Sequence, residues 1–420
     1  MTLLVFWTEP HQRRVLTVKP VILTSLGNYL PGYNSGGPLR SILNLVEHLK
    51  NDFEFRILTA DRDLGDAEPY PDIAVDCWRD VGGVFVHYTS PGSQSLGRLA
   101  RILRDTPHDL LYLNSFFSPQ ITGIPLIARR LGMIPARPVV VAPRGEFSKG
   151  ALALKSWKKK PYIVTAQMLG LYDSVTWQAS STYEADDIRR TMAASANRIH
   201  VAGVTSLNIR VACDLPSGAH SGTAPHRRSA DEPLRIVFLS RISPKKNLAF
   251  ALACLSYVAL PIAFEIYGPA EDAAYWHDCQ QKMARLPHHV RVRYHGAVKP
   301  SEVPRVMAEH DLFFMPTLGE NYGHVIAEAL CAGTPVLISD TTPWRGLAEE
   351  GVGSDLPLRD PKAYADYITA LSRLDVNEYA TLRSNVLAYA TQTLDAGNVV
   401  ESNKALFRGA MAEHNGTRHC

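Results

Sequence analysis

Short apolar runs alternate with helical stretches along almost the whole chain, and that alternation leaves few folds open. The unit at residues 312–339 shows it best. Leu312-Phe313-Phe314-Met315-Pro316 reads as a short buried strand, a loop follows, a helix stops at Gly333, and Pro335-Val336-Leu337-Ile338-Ser339 reads as the next strand. Similar runs lie at 20–25, 53–59, 84–88, 110–114, 139–142, 175–178 and 199–202. Between the first two, Leu39, Ile42, Leu43, Leu45, Val46 and Leu49 recur at helical spacing. Strands separated by helices pair in parallel, with helices on both faces of the sheet. Residues 216–233, rich in Ser, Gly, Ala, His and Pro, break the pattern and read as a linker. A second alternation begins at Leu234. The expected organisation is α/β, with two doubly wound Rossmann-like halves at 19–215 and 234–393. An unpatterned extension at 1–18 precedes them, and a last helix follows within 394–420.

Composition removes several classes of function. A length of 420 residues favours two to three domains. A net charge of +3 is too small to suggest nucleic acid as a partner. Six cysteines without a Cys-x-x-Cys pair argue against a zinc site and a disulfide framework, and they fit a reducing cytosol. The apolar run at 3–7 is too short for a secretory leader, so a cytoplasmic protein is expected. The stretch 248–264 comes nearest to a membrane span. Ser256 and Pro261 interrupt it, and it reads as a buried helix running into a strand.

The chemistry concentrates in two places. In Glu320-Asn321-Tyr322-Gly323-His324-Val325-Ile326-Ala327-Glu328, one acid lies in a loop and the second two helical turns, about 11 Å, further on. That spacing leaves room for a ligand longer than a single sugar, such as a nucleotide sugar lying across a helix N-terminus. In Ser240-Arg241-Ile242-Ser243-Pro244-Lys245-Lys246, an arginine and a lysine follow a strand. Arginine offers a planar fork of donors and lysine a compact point charge, and both suit a diphosphate.

The two motifs, in this order and 79 residues apart from Arg241 to Glu320, resemble those of the family 4 (group 1) retaining glycosyltransferases of the GT-B fold. The resemblance is sharp over 234–347 and diffuse over most of the first half. It implies that the two halves face each other across a cleft and that the last helix crosses back to the first. It assigns Glu328 to the vicinal hydroxyls of a ribose and Glu320 to the donor sugar. Arg241 and Lys246, the latter favoured over Lys245 by its register, would hold the diphosphate. Backbone N–H groups at Asn321, Tyr322 and Gly323 would add dipoles. Gly36 and Gly37 would let the facing loop approach the donor, and Gly296 would lie near the base. The implied reaction retains configuration by front-face transfer, needs no metal or other cofactor, and uses a nucleotide-diphosphate sugar (UDP first, GDP next). The implied acceptor is a glycan or a lipid-linked glycan. The family often places a histidine after the strand that here ends at Asn114, so Asn114 becomes a candidate cleft residue. Arg144 and Glu146, after another strand, are further candidates.

Simpler roles stay open for some of these residues. Glu320 also suits a helix N-cap, and Lys246 a surface turn. Asp61-Arg62-Asp63 mimics a metal-binding Asp-x-Asp but reads as a solvated acidic loop. Residues 98–160 hold twelve Lys or Arg against three acids. Trp157 and Tyr162 flank Lys158, Lys159 and Lys160, which suggests an anionic membrane surface as partner. A sugar-nucleotide epimerase or phosphorylase on the same architecture, or a non-catalytic nucleotide-sugar-binding subunit, are the rival readings.

Overall fold

The apolar runs become two sheets in the computed structural model, which describes residues 19–34, 36–153, 156–199, 207–215, 232–394 and 396–416. The first sheet holds β1 (Val21–Ser25), β2 (Glu54–Ala60), β3 (Trp78–Val81), β4 (Val84–Thr89), β5 (Leu110–Leu113), β6 (Val139–Val141), β7 (Thr176–Ala179) and β8 (Ile209–Val211). Their spatial order is β3-β4-β2-β1-β5-β6-β7-β8. The second holds β9 (Leu234–Leu239), β10 (Ile262–Tyr267), β11 (Val290–Gly296), β12 (Leu312–Met315), β13 (Val336–Ser339) and β14 (Gly353–Leu356), in the order β11-β10-β9-β12-β13-β14. Every pairing is parallel except β3 with β4.

The strand sequences explain this arrangement. Every residue of β5, β12 and β13 is buried, as a strand covered by helices on both faces requires. In the first sheet neighbouring residues feed opposite cores. Ile22 and Ile57 pack toward helix Gly37–Leu49, while Leu23 and Leu58 pack toward helices Leu96–Asp105 and Ile124–Arg130. Helix Leu248–Leu255 is buried and runs on into β10, and no helix among the described residues is long and apolar enough to cross a membrane.

Two elements depart from the sequence reading. β3 carries the short polar string Trp-Arg-Asp-Val at the sheet edge, and an edge strand of that kind shows no apolar run. β8, at the far edge of the first sheet, is likewise not among the expected runs. Of the strand expected at 199–202, only Ile199 is described, at the end of helix Thr182–Ile199; 200–202 lie outside the described residues. Most of the expected linker, 216–231, and the extension 1–18 also lie outside the described residues.

Strand order reverses between β1 and β5 in one sheet and between β9 and β12 in the other. Such switch points open a crevice beyond the carboxyl ends of the strands, where ligands bind. Helix Ala396–Gly416 leaves the second sheet and packs on the first. There the Phe407 ring meets Phe53 and Tyr112 edge-on at 5.7 and 5.2 Å, and Asn403 Nδ2 donates to the Cys213 carbonyl at 2.9 Å. Phe407 is fully buried. Phe407→Ala is therefore expected to destabilise the protein by about 3–5 kcal/mol, read as a lower urea midpoint. An unchanged midpoint would show that this helix adds nothing to the first core.

Candidate functional site

The two switch-point crevices face each other and enclose a cleft of about 430 Å³. From the second sheet come the loop after β9, with Arg241, Lys245 and Lys246, and the loop after β12, which ends at Gly323. Helix His324–Cys331 starts there and turns Glu328 toward the same space. Gly323 holds φ +84°, and a Cβ on it would approach Ile326 Cδ1 to 2.9 Å. A left-handed glycine is thus what lets the loop enter the helix at this angle. From the first sheet come the loop after β1, with Gly36 and Gly37, and Arg144 and Asp214 after β6 and β8. Gly36 lies at φ +62°, where a Cβ would stand 3.8 Å from Arg241 Nε, and a Cβ on Gly37 would meet nothing within 4 Å.

The charges are paired across short distances. Lys246 Nζ donates to Glu320 Oε1 at 2.5 Å, and Thr317 Oγ1 donates to the same oxygen at 3.0 Å. Burial pushes the Glu320 carboxyl up, but Lys246, Lys245 and these hydrogen bonds outweigh it and hold it below its ordinary value. Arg241 pairs with Glu271 at 3.0 Å. Glu328 pairs with Arg40, from the first turn of helix Gly37–Leu49, at 3.0 Å. Burial raises the Glu328 carboxyl, and Arg40 only partly offsets that.

A polar seam joins the halves beside the cleft. Arg144 forms a buried ion pair with Asp214 and donates to Asn114 Oδ1 at 2.8 Å and to the Tyr112 hydroxyl at 2.6 Å. Asp214 Oδ2 accepts from Ser41 Oγ at 2.9 Å, and that hydroxyl lies 2.8 Å from His324 Nε2. Ser180 Oγ donates to Asn321 Oδ1 at 2.9 Å. Burial drives the His324 imidazole down to about 4 against the pull of Asp214, so it is neutral near pH 7.

The cleft therefore gathers Arg241, Lys246, Glu320, Asn321, Tyr322, Gly323, Glu328, Gly36, Gly37 and Arg144. Gly296 does not line the cleft, whereas the next two residues, Ala297 and Val298, do. Asn114 serves Arg144 from behind. Glu146 does not face the cleft: its carboxylate accepts from Ser115 Oγ and from the Phe116 and Phe117 N–H groups, and it holds that turn. Glu320 is not the N-cap, because Gly323 occupies that position. Asp61 and Asp63 are buried rather than solvated. Asp63 accepts from the Tyr33 and Asn34 N–H groups at 2.8 and 3.0 Å and so shapes the loop opposite Arg241. No group of three or more metal-ligating side chains occurs among the described residues. Tyr162 is not a surface anchor, since its ring packs on Phe116 and Phe117. Lys159 also turns inward, donating to the Ala151 carbonyl at 2.7 Å with its ammonium over the Phe117 ring. Arg40, Ser41, Asp214 and His324 were not singled out from the sequence. Arg40 and Ser41 are polar breaks early in an amphipathic helix, but nothing local to them names a partner on the other half.

Two facing parallel α/β domains with this cleft define the GT-B architecture of glycosyltransferases. The family model for glycosyl transferases group 1 matches residues 233–373, and that for a glycosyl transferase 4-like domain matches 36–205. The chain belongs to this family, the group 1, family 4 glycosyltransferases. A phosphatidyl-myo-inositol mannosyltransferase of Mycobacterium leprae is 38% identical over 87 residues, covering 20% of this chain and 23% of its own. A D-inositol 3-phosphate glycosyltransferase of Xylanimonas cellulosilytica is 28% identical over 201 residues, covering 46% and 47%. The chain thus spans about half or less of the length of these curated relatives. Among solved structures, Anabaena HepE in complex with UDP and glucose superposes with a TM-score of 0.67 at 17% identity, covering 93% of this chain and 100% of its own. WaaG, a glycosyltransferase involved in lipopolysaccharide biosynthesis, gives 0.63 at 14% identity over 92% and 99%. At such identities the likeness establishes the fold.

The seam has a pH signature. An unfolded histidine titrates near 6.5, so between that value and about 4 the unfolded chain binds the proton that folded His324 refuses. The stabilisation is complete above pH 6.5 and is lost as pH falls toward 4. The melting temperature is expected to drop from pH 7 to pH 5, and to drop less in His324→Gln. Equal drops would remove His324 from the account.

Proposed function

We propose that the chain is a retaining, metal-independent glycosyltransferase. It moves a sugar from a nucleotide-diphosphate sugar, UDP-linked first and GDP-linked second, to a glycan or lipid-linked acceptor of cell-surface polysaccharide or glycolipid assembly. One observation carries this reading: two largely enclosed acids eight residues apart, with side chains 11% and 12% exposed, flank a helix start, with Arg241 and Lys246 beside them in one cleft. In this reading the ribose hydroxyls take over the Glu328 carboxylate from Arg40. The base lies between Gly268-Pro269 and Ala297-Val298, residues with small or short side chains that line the cleft. The HepE complex with UDP and glucose supports uridine as first choice.

The chemistry asks for stabilisation of charge as the diphosphate departs, which Arg241, Lys246 and the N–H groups at the helix start supply. Glu320 is clamped by Lys246 and Thr317, which supports a role in positioning the donor sugar rather than in attacking it. In front-face transfer the bond from C1 to the phosphate oxygen breaks while the acceptor oxygen bonds C1 on the same face. The acceptor's proton passes to the departing phosphate.

The inference of a membrane-facing acceptor rests on a smaller set of residues than the sequence suggested. Trp157 is 73% exposed, Lys158 Nζ lies 4.8 Å over its ring, and Lys160 is exposed beside them. Each such cation is worth about 1 kcal/mol near an anionic surface. Flotation with phosphatidylserine vesicles is expected to fall when Lys158 and Lys160 become alanine, and undiminished flotation would remove this surface from the proposal.

The donor site is tested by calorimetry with UDP, GDP and ADP in the presence of EDTA. One nucleotide is expected to bind, and about tenfold or more of its affinity to disappear in Glu328→Ala. Failure of all three on the wild-type protein would overturn the donor reading.

A further inference from the structure

The cations that line the cleft do not all have partners. Arg40 pairs with Glu328, Arg241 with Glu271, Lys246 with Glu320 and Arg144 with Asp214. Lys245 also lines the cleft, and among the described residues its ammonium makes no ion pair or hydrogen bond. Its main chain is fixed: the Lys245 carbonyl accepts from the Leu318 N–H at 2.8 Å, so the residue is bolted to the loop that carries Glu320. Glu320, an acid that feels its charge, is already clamped by Lys246. An ammonium held at a cleft wall without a counter-charge costs free energy that an incoming anion would recover.

We propose that Lys245 is a phosphoryl-binding residue, an open anion seat that takes an oxygen of a phosphoryl group while Lys246 holds Glu320. The inference rests on the nucleotide-diphosphate reading of the cleft and adds a second lysine to it. Lys246 is shared between Glu320 and the departing diphosphate. Lys245 meets the anion with no carboxylate paired to it. That phosphoryl group comes from one of two sources, the donor's diphosphate or a phosphate on the acceptor, and the two share the chemistry of a point charge against a phosphate oxygen. Burial, reinforced by Lys246, Arg241 and Lys159 and opposed by Glu320, lowers the Lys245 ammonium below its ordinary value, as expected of a cation awaiting an anion.

The test compares wild type, Lys245→Met and Lys245→Arg by calorimetry, using UDP (or GDP if UDP does not bind), the matching nucleoside, and inorganic phosphate added to nucleotide-saturated protein. If the donor supplies the anion, Lys245→Met weakens the nucleotide about tenfold or more and leaves the nucleoside unchanged, and Lys245→Arg restores most of the loss. If the acceptor supplies it, nucleotide affinity is unchanged, saturated wild type still binds phosphate, and Lys245→Met does not. Equal binding of every probe by wild type and Lys245→Met overturns the proposal, as does an equal loss for nucleoside and nucleotide. A wild-type protein that binds no nucleotide would sink the donor reading instead. Phosphate titrated into the unliganded proteins would then decide Lys245 by itself.

Discussion

The buried ion pair between Arg144 and Asp214 ties together segments that otherwise belong to separate parts of the molecule. Arg144 reaches Tyr112 and Asn114 on and after β5, and Asp214 follows β8. Through Ser41, Asp214 also reaches the first helix of one domain and, by His324, the helix of the acidic motif in the other. A buried pair survives only when its remaining donors and acceptors are satisfied, and removing one partner typically costs about 3–5 kcal/mol. Here those satisfying bonds are the ones that set the mouth of the cleft. The positions of Gly36, Gly37 and helix His324–Cys331 thus depend on one polar cluster.

The cleft itself is a low-dielectric space in which few charges go unmatched. Its two motif acids sit in different environments. Glu320, among Lys246, Lys245 and Thr317, is held ionised below its ordinary range, while burial dominates at Glu328 and pushes it up despite Arg40. A ligand that brings hydroxyls to Glu328 and phosphates to the cations exchanges one set of partners for another without stranding a charge. Because Arg40 comes from the facing domain, that exchange couples the ligand site to the seam.

Much of the architecture was legible before any coordinates. The runs at 312–315 and 336–339 appear as β12 and β13, and the motif helix ends where Gly333 turns the chain at φ +70°. Those strands are apolar up to Ser339 because helices cover both faces, so their signal is local. β3 escaped because an edge strand with one face in water needs no such run. The acids of Asp61-Arg62-Asp63 read as a solvated loop, because nothing nearby in sequence shows that Asp63 faces the N–H groups of Tyr33 and Asn34.

The same contrast runs through the site. Glu320, Glu328, Arg241 and Lys246 stand in two short motifs whose spacing follows from a strand, a turn and two turns of helix, so linear order was enough to find them. Arg40 against Glu328, Ser41 and Asp214 against His324, and Ser180 against Asn321 join residues 110 to 288 positions apart. Glu146 and Tyr162 looked like cleft and surface residues until packing turned them inward. Periodicity and spacing report what a segment does to its neighbours in the chain. Which lysine of the pair at 245 and 246 is clamped and which is open is decided only where the loops after β9 and β12 meet.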